Sequence, residues 1–350
     1  MFSVTNNRGF IPQSEQFEDR EMKGEDIKAY KVIHHNDFAY NPARINVGSI
    51  AKYNGYEPCM ISSLYVCFKA NNEVNEDWLM HLLRTPKVQY YYQLNGEGGV
   101  RIYLFYPNFA RIRTSIPSIE EQKKIAKILS IIDERIATQN KIIEDLKKLK
   151  SAIIDIVIGK SDFPKIRFEE IYDRAGEGGT PATSTQEYYL NGKIPFVKIE
   201  DLANKYLVSS KDFITELGLC KSSTWVVPTN SIIYSNGATI GAISINKIPV
   251  CTKQGILGIV PKEKYHVEYL YYLMTTTYFR KQIERIVTEG TMRTAYLKDI
   301  NHIECPIPDL ETQKKIASML RNLSNKLELE QSILTNHTNQ KRFVLSSMFI

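Results

Sequence analysis

Two fifteen-residue stretches constrain this chain more than any other feature. Residues 116–130 read IPSIEEQKKIAKILS and residues 307–321 read IPDLETQKKIASMLR. They lie 191 positions apart, and nine of the fifteen positions are identical. A match that dense at a fixed offset is an internal duplication. Each copy opens a long helical pattern and follows a larger segment rich in β-branched and aromatic residues. The chain therefore divides into a short first domain (1–115), a first helical spacer (116–160), a second domain (161–306) and a second helical spacer (307–350). The expected class is α+β.

The spacers read as helices of unusual length. Apolar residues recur at 4-3 spacing in the first, at Ile125, Leu129, Ile132, Ile136, Ile143, Leu146 and Ile153. The second repeats the template at Ile316, Leu320, Leu323, Leu327, Leu334 and Val344. Sustained 4-3 spacing is the signature of a coiled-coil seam. Gln139 and Glu330 are polar at one matched seam position; such residues cost stability and tend to fix register. Two helices of similar length joined by a folded segment pack most simply antiparallel, as a rod of roughly 60 Å at 1.5 Å rise per residue. Ser118 and Asp309 stand where N-caps belong. Glu121 completes a capping box with Ser118, whereas Thr312 spoils the pairing in the second copy.

The domains before the helices read as mixed strands and helices. In the first, strands are expected near Tyr30–Ile33, Val47–Lys52 and Met60–Phe68, then a helix over Asn75–Arg84. In the second, SIIYSNGATIGAISIN (231–246) reads as strand, turn and strand, and helices are expected over Tyr265–Thr275 and Phe279–Val287. The two domains are distant copies. Tyr40-NPARINVG matches Tyr234-SNGATIG with Gly48 opposite Gly241, and NGEGGVRIYL (95–104) parallels TEGTMRTAYL (288–297). Segment 1–115 is 31 residues shorter than 161–306 (146 − 115). It is expected to lack the opening portion that in the second domain carries the GGTP loop at 178–181.

Catalytic signatures are missing. There is no GxxxxGK[ST] phosphate loop and no Asn/Asp-Pro-Pro-aromatic run of a methyltransferase. The GEGG tracts at 96–99 and 176–179 read as turns. Pro308-Asp309-Leu310-Glu311 before Lys314 has the wrong spacing for a nuclease and reads as a helix start. His34-His35 has no third ligand nearby, so no metal site is expected. Five cysteines form no CxxC pair and read as free, mostly buried thiols of a reducing compartment. No signal peptide is evident, and the apolar run Ile153–Ile158 is broken by Asp155, far short of the roughly 20 residues a membrane span needs. A cytoplasmic protein is expected.

What remains suits DNA. A net charge of +6 permits nucleic acid without requiring it. Loops rich in Asn, Gly, Thr, Arg and Lys lie beside aromatic residues; phosphates need cations and N–H groups, and base edges need Arg, Asn, Gln or Thr. The candidates are Asn41, Arg44, Asn46, Lys52 and Arg101 in the first domain. In the second they are Thr180, Lys198, Asn236, Thr239, Lys253, Gln254 and Arg293.

On IPSIEEQKKIAKIL, IPDLETQKKIASML, the GGTP loop, IPFVKIEDL (194–202) and FAYNPARINVGSI (38–50), the chain resembles the specificity subunit (HsdS) of type I restriction–modification systems. The resemblance covers essentially all 350 residues. It implies two target-recognition domains, each reading one half of a split site in double-stranded DNA, held apart by an antiparallel helical ruler. It implies no catalysis in this chain. Docked modification (methyltransferase) subunits would carry S-adenosylmethionine and act on adenine, and restriction/translocase subunits would use ATP and Mg. The alternative reading is a coiled-coil scaffold, or a shortened specificity subunit without full DNA readout.

Overall fold

The computed structural model describes residues 1–16, 29–98, 102–287 and 293–349. The chain forms two compact units: Met1–Lys141 with Ser332–Ile350, and Ile142–Gln331. Both boundaries fall inside a long helix, Ile119–Ile154 or Leu310–Met348. The sequence-based boundaries separate sheets from spacers; the compact units cut across them, because each half-helix packs on a sheet domain.

Unit 1 carries seven strands among its described residues: β1 (Phe2–Thr5), β2 (Gly9–Pro12), β3 (Lys31–Ile33), β4 (Phe38–Tyr40), β5 (Ile50–Lys52), β6 (Cys59–Ile61) and β7 (Val66–Phe68). They form a four-stranded sheet, β2-β1-β6-β3, and a three-stranded sheet, β5-β4-β7. The expected strands over 47–52 and 60–68 are each shorter than anticipated. Gly48 adopts φ 95° and ends a 3-10 turn before β5, and a turn at Ser62–Tyr65 splits the second run. The helix Glu76–Leu83 is capped by Asn75, whose side chain accepts from the Trp78 N–H. It buries Trp78, Leu82 and Leu83 against Phe38, Tyr40, Leu129 and Phe349. Here the two half-helices run antiparallel: Ile125 shares this core with Val344 and Leu345, and Asp133 pairs with Lys341.

Unit 2 carries β8 (Lys165–Arg167), β9 (Tyr172–Glu177), β10 (Ile194–Val197), β11 (Tyr206–Leu207), β12 (Asp212–Ile214), β13 (Ile232–Ser235), β14 (Ile243–Asn246), β15 (Cys251–Thr252), β16 (Ile256–Pro261) and β17 (Glu304–Pro306). Its main sheet has the order β11-β14-β13-β16-β9, beside the smaller sheets β12-β10-β15 and β17-β8. The helices Val267–Thr275 and Thr277–Ile286 lie close to expectation and pack their apolar faces on the main sheet. Ile154 and Ile158 meet Ile316 and Leu320 in the same core. The first long helix ends in a wider turn, Asp155–Gly159, where Asp155 accepts from the Thr277 N–H at 2.6 Å at the start of the helix Thr277–Ile286.

Along both long helices the least exposed positions keep the 4-3 spacing. Leu129, Ile132, Gln139, Ile143, Ile316, Leu320 and Glu330 are buried, while Ile125, Ile136, Leu146, Ile153, Leu323, Leu327, Leu334 and Val344 are half-buried. Both helices are capped. The Ser118 box forms as expected. In the second copy Asp309 accepts the Thr312 N–H at 3.0 Å and the Thr312 hydroxyl at 2.7 Å, a carboxylate cap that differs from the reciprocal Ser118–Glu121 box. Those bonds hold the Asp309 carboxyl below its usual range.

Of the five cysteines, all free, Cys59, Cys251 and Cys305 are buried, but Cys220 is exposed. Burial pushes the Cys251 thiol up to about 11. Among the described residues no group of three metal-ligating side chains occurs, and no helix is long and apolar enough to cross a membrane.

Candidate nucleic-acid interface

In unit 2 a continuous set of backbone hydrogen bonds gathers four loops at one end of the sheets. The Gly178 N–H donates to the Ile256 carbonyl at 2.9 Å, and the Gly255 N–H donates to the Glu177 carboxylate at 2.6 Å. The Asn236 N–H donates to the Gly255 carbonyl at 3.1 Å. Asn236 also joins the fourth loop: its carbonyl accepts from the Ala295 N–H at 2.9 Å, and its side-chain amide donates to the Ala295 carbonyl at 3.1 Å. Lys253 extends the set to β10 through its N–H on the Val197 carbonyl, 3.0 Å.

Glycine makes this convergence possible. A Cβ on Gly178 would strike the Thr252 carbonyl, and one on Gly179 would lie 2.8 Å from the Thr224 nitrogen. The GGTP loop therefore runs where only an unsubstituted backbone fits. The expected strand–turn–strand forms, with Asn236-Gly237 opening a connecting loop, 236–242, which Gly241 closes at φ 99°.

The convergence brings most of the second-domain candidates together. Thr180, Thr239, Lys253, Gln254 and Arg293 are exposed on these loops. Lys198 is half-buried beside Lys253 at the end of β10, with its ammonium 2.9 Å from Asp212. Asn236 is the correction. It is fully buried, and its amide ties two loops together, so it positions the interface and presents nothing to a base edge in this conformation. Sequence reading also passed over Arg280. It sits on the helix Thr277–Ile286 and lines a groove of about 550 Å³ with Thr239, Gly241, Glu284 and Arg293. The four-residue spacing of Arg280 and Glu284, which puts both on one helix face, was the available signal.

Unit 1 repeats the frame in shorter form. The Leu104 N–H donates to the Pro42 carbonyl at 3.0 Å, as Ala295 does to Asn236. This aligns Leu104 with Ala295 and shifts the sequence pairing of the 95–104 and 288–297 tracts by two residues. The loop 41–48 carries Asn41, Arg44 and Asn46. The Asn41 side chain accepts from the Ala43 N–H at 3.0 Å and shapes the loop, Asn46 is half-buried and Arg44 is exposed. Lys52 is separated from them. It pairs with Phe38, at the far end of β4 from the loop, and its ammonium is 2.5 Å from Asp77. Arg101 lies outside the described residues. The His34–His35 pair makes local contacts, with His35 stacked on Tyr56 at 5.4 Å.

The comparisons with known proteins agree with this geometry. The family described as type I restriction modification DNA specificity domain matches residues 25–148 and 160–336. The putative type I restriction enzyme MjaX specificity subunit of Methanocaldococcus jannaschii is 26% identical over 89% of this chain and 76% of its own length. The MjaIX specificity subunit of that organism is 33% identical over 49% of this chain, but only 40% of the relative is covered. Among solved structures, one titled for the complex assembly and conformational transition of the type I R-M system superposes with a TM-score of 0.63 at 18% identity, covering 91% of this chain and 83% of that one. The S subunit from M. genitalium gives 0.56 at 18% identity, covering 91% and 84%. Two matched copies of the domain span most of the chain, on a fold these structures share, and the chain belongs to the type I restriction–modification DNA specificity family.

Proposed function

We propose that this chain is the non-catalytic reader of a type I restriction–modification complex and that each unit reads one half of a split DNA site. The observation that carries the reading is the convergence of four loops in unit 2, with Thr180, Thr239, Lys253, Gln254 and Arg293 exposed on one frame of backbone hydrogen bonds. Exposed Lys and Arg serve phosphates, while Thr and Gln serve base edges. In unit 1 Arg44 and Asn46 take the corresponding place on the loop 41–48. The long helices set the unread spacer and dock modification subunits. S-adenosylmethionine and the methyl transfer to adenine reside on those subunits, and ATP and Mg on the restriction/translocase subunits. Tethering two modest readers raises affinity through effective concentration.

The test is methylome sequencing of cells that express this chain with its neighbouring modification subunit. A split adenine-methylated motif is the expected result. A motif with a single defined half would remove unit 1 from the readers, and an unchanged methylome would overturn the proposal.

A further inference from the structure

Two glycines of the main sheet in unit 2 form a seat for Trp225. Gly176 on β9 stands directly opposite Gly258 on β16. A Cβ on Gly176 would lie 3.3 Å from the indole nitrogen, and one on Gly258 would lie 3.0 Å from Cζ2 of the ring and strike Val227. The facing glycines thus leave the shallow floor on which the indole rests. Arg174, two residues before Gly176 on β9, projects from the same face of the strand. Its guanidinium carbon lies 4.1 Å from the centroid of the Trp225 ring, a stacking contact. The indole N–H is buried and has no hydrogen-bond partner among the described residues. An orphaned donor costs stability, and the ring acts here through its face.

The stacked pair adjoins the loops gathered at the candidate interface. The residues just before Trp225 pack on the GGTP loop. A Cβ on Gly179 would strike the Ser223 hydroxyl, and the Thr224 hydroxyl donates to the Thr252 carbonyl at 2.9 Å. At its far end β9 enters the hydrogen-bond frame through Glu177. Arg174 precedes Glu177 by three strand residues, about 10 Å at a rise of about 3.3 Å each, or roughly three base-pair steps. Arg174 is exposed, and no carboxylate of the described residues pairs with it. Stacking occupies the flat face of the guanidinium and leaves its N–H edge free.

We infer that Arg174 reads a guanine in the half-site of unit 2 and that Trp225 is its positioning residue; the inference rests on the proposal that this unit reads DNA. Guanine alone among the bases presents two neighbouring acceptors, O6 and N7, at the major-groove edge, and a planar fork of N–H groups meets both at once. Such a contact demands a fixed plane. A free arginine side chain gives up rotamer freedom to make it, whereas one already stacked on an indole has given up much of that freedom beforehand. A phosphate makes no such demand. Its oxygens accept from many directions, and a flexible lysine serves as a point charge. The seat of facing glycines and the sealed indole N–H therefore favour a base edge over the backbone.

The test is the methylome written by the complex when cells express the neighbouring modification subunit with the unaltered chain or with Arg174→Ala. The unaltered motif should contain a G·C pair that Arg174→Ala renders degenerate, with every other defined position in both halves retained. That retention shows the complex to be intact. In equilibrium binding of the purified complex to duplexes differing only at that pair, Arg174→Ala should abolish a discrimination of about ten- to a hundredfold. Arg174→Lys, which keeps the charge without the planar fork, should fall between. Trp225→Leu should weaken discrimination at the same pair and no other, and Trp225→Phe, which keeps an aromatic face, should preserve it. An Arg174→Ala motif identical to the unaltered one, or degenerate at several positions at once, overturns the inference. So does a loss of affinity equal for all sequences, which would place Arg174 on a phosphate. Full discrimination in Trp225→Leu removes the positioning role. If the unaltered chain writes no motif, the reading of unit 2 as a DNA reader fails, and this inference fails with it.

Discussion

Gln122 and Gln313, 191 positions apart, make the same tie in their respective units. Gln122 accepts from the Asn75 N–H at 2.8 Å and donates to the Pro117 carbonyl at 2.9 Å. Gln313 accepts from the His266 N–H at 2.8 Å and donates to the Pro308 carbonyl at 2.8 Å. Both are almost wholly buried. Each fastens the start of a long helix to the start of the helix that covers the sheet. The invariance of Gln within the repeated motif thus has a mechanical reason: only a side chain with both a donor and an acceptor can close both bonds.

Removing either amide should therefore loosen one unit and spare the other. Gln→Ala orphans an N–H and at least one carbonyl that are partly or fully buried, at about 1–3 kcal/mol each at most. The two tryptophans supply separate readouts, since Trp78 lies in unit 1 and Trp225 in unit 2. In urea titrations of a Trp225→Phe background, Gln122→Ala is expected to lower the midpoint of the Trp78 transition, and Gln313→Ala to leave it nearly unmoved. The Trp78→Phe background should show the reverse. Equal shifts in both would mean that the units unfold as one.

Much of this architecture was legible in the sequence because the long helices advertise themselves. A 4-3 apolar repeat is a local signal, and Leu129, Ile132, Leu320 and their neighbours are buried where it puts them. The loops were harder to read. That Asn236 is buried follows from its bonds to Ala295, 59 residues on, which no local pattern announces. That Lys52 belongs to Asp77 follows from helix packing on β5. Loop candidates chosen by residue type mix side chains that face solvent with side chains that build the loop, and type alone does not separate them.

Unit 2 holds an ionic cluster that predicts a pH dependence. Glu268, nearly buried, accepts from Lys205 at 2.9 Å and from the Tyr206 hydroxyl at 2.7 Å, with Arg321 at 3.4 Å. Burial alone would raise this carboxyl, but the Tyr206, Lys205 and Arg321 contacts outweigh it and bring it below its ordinary value. A depressed carboxyl stabilises the fold above the unfolded-state value and loses that contribution as pH falls through the folded one. Glu268→Gln leaves the half-buried Lys205 without its counter-charge, so it should cost up to about 3 kcal/mol at neutral pH, the lower end for a buried pair. The penalty should shrink as pH drops below the ordinary glutamate range. Urea titrations of the Trp225 transition from neutral to acid pH would check this, and a gap that stayed constant with pH would contradict it.

Gly48 and Gly241 occupy the same place in the two copies, at φ 95° and 99°. A Cβ at Gly48 would come no nearer than 3.8 Å to a neighbour, and one at Gly241 would meet nothing within 4 Å. Alanine at either position therefore costs backbone strain rather than a clash, about 1–2 kcal/mol. Gly→Asn should cost less, because asparagine tolerates the left-handed region better. Denaturation midpoints ordered Gly, Asn, Ala at both sites would support the shared loop geometry; unequal orders would break the correspondence between the copies.

The DNA reading makes its sharpest demand on Lys253 and Asn236, which lie in neighbouring loops and should fail differently. Lys253 is exposed, and its N–H bond to Val197 is a backbone bond that survives truncation. If its ammonium neutralises a phosphate, Lys253→Ala should weaken binding about equally for all sequences. It should also reduce the slope of log K against log salt by about 0.9, the value for one lost phosphate contact. Asn236→Ala removes no charge. It removes the side-chain bond to the Ala295 carbonyl and keeps the backbone bond from the Ala295 N–H, so it should loosen the loop 236–242, leaving the salt slope intact while eroding the preference for cognate over random duplex. Equilibrium binding of both variants to both duplexes across a salt series separates the two roles. A Lys253→Ala slope equal to that of the unaltered chain would take that lysine off the phosphate backbone.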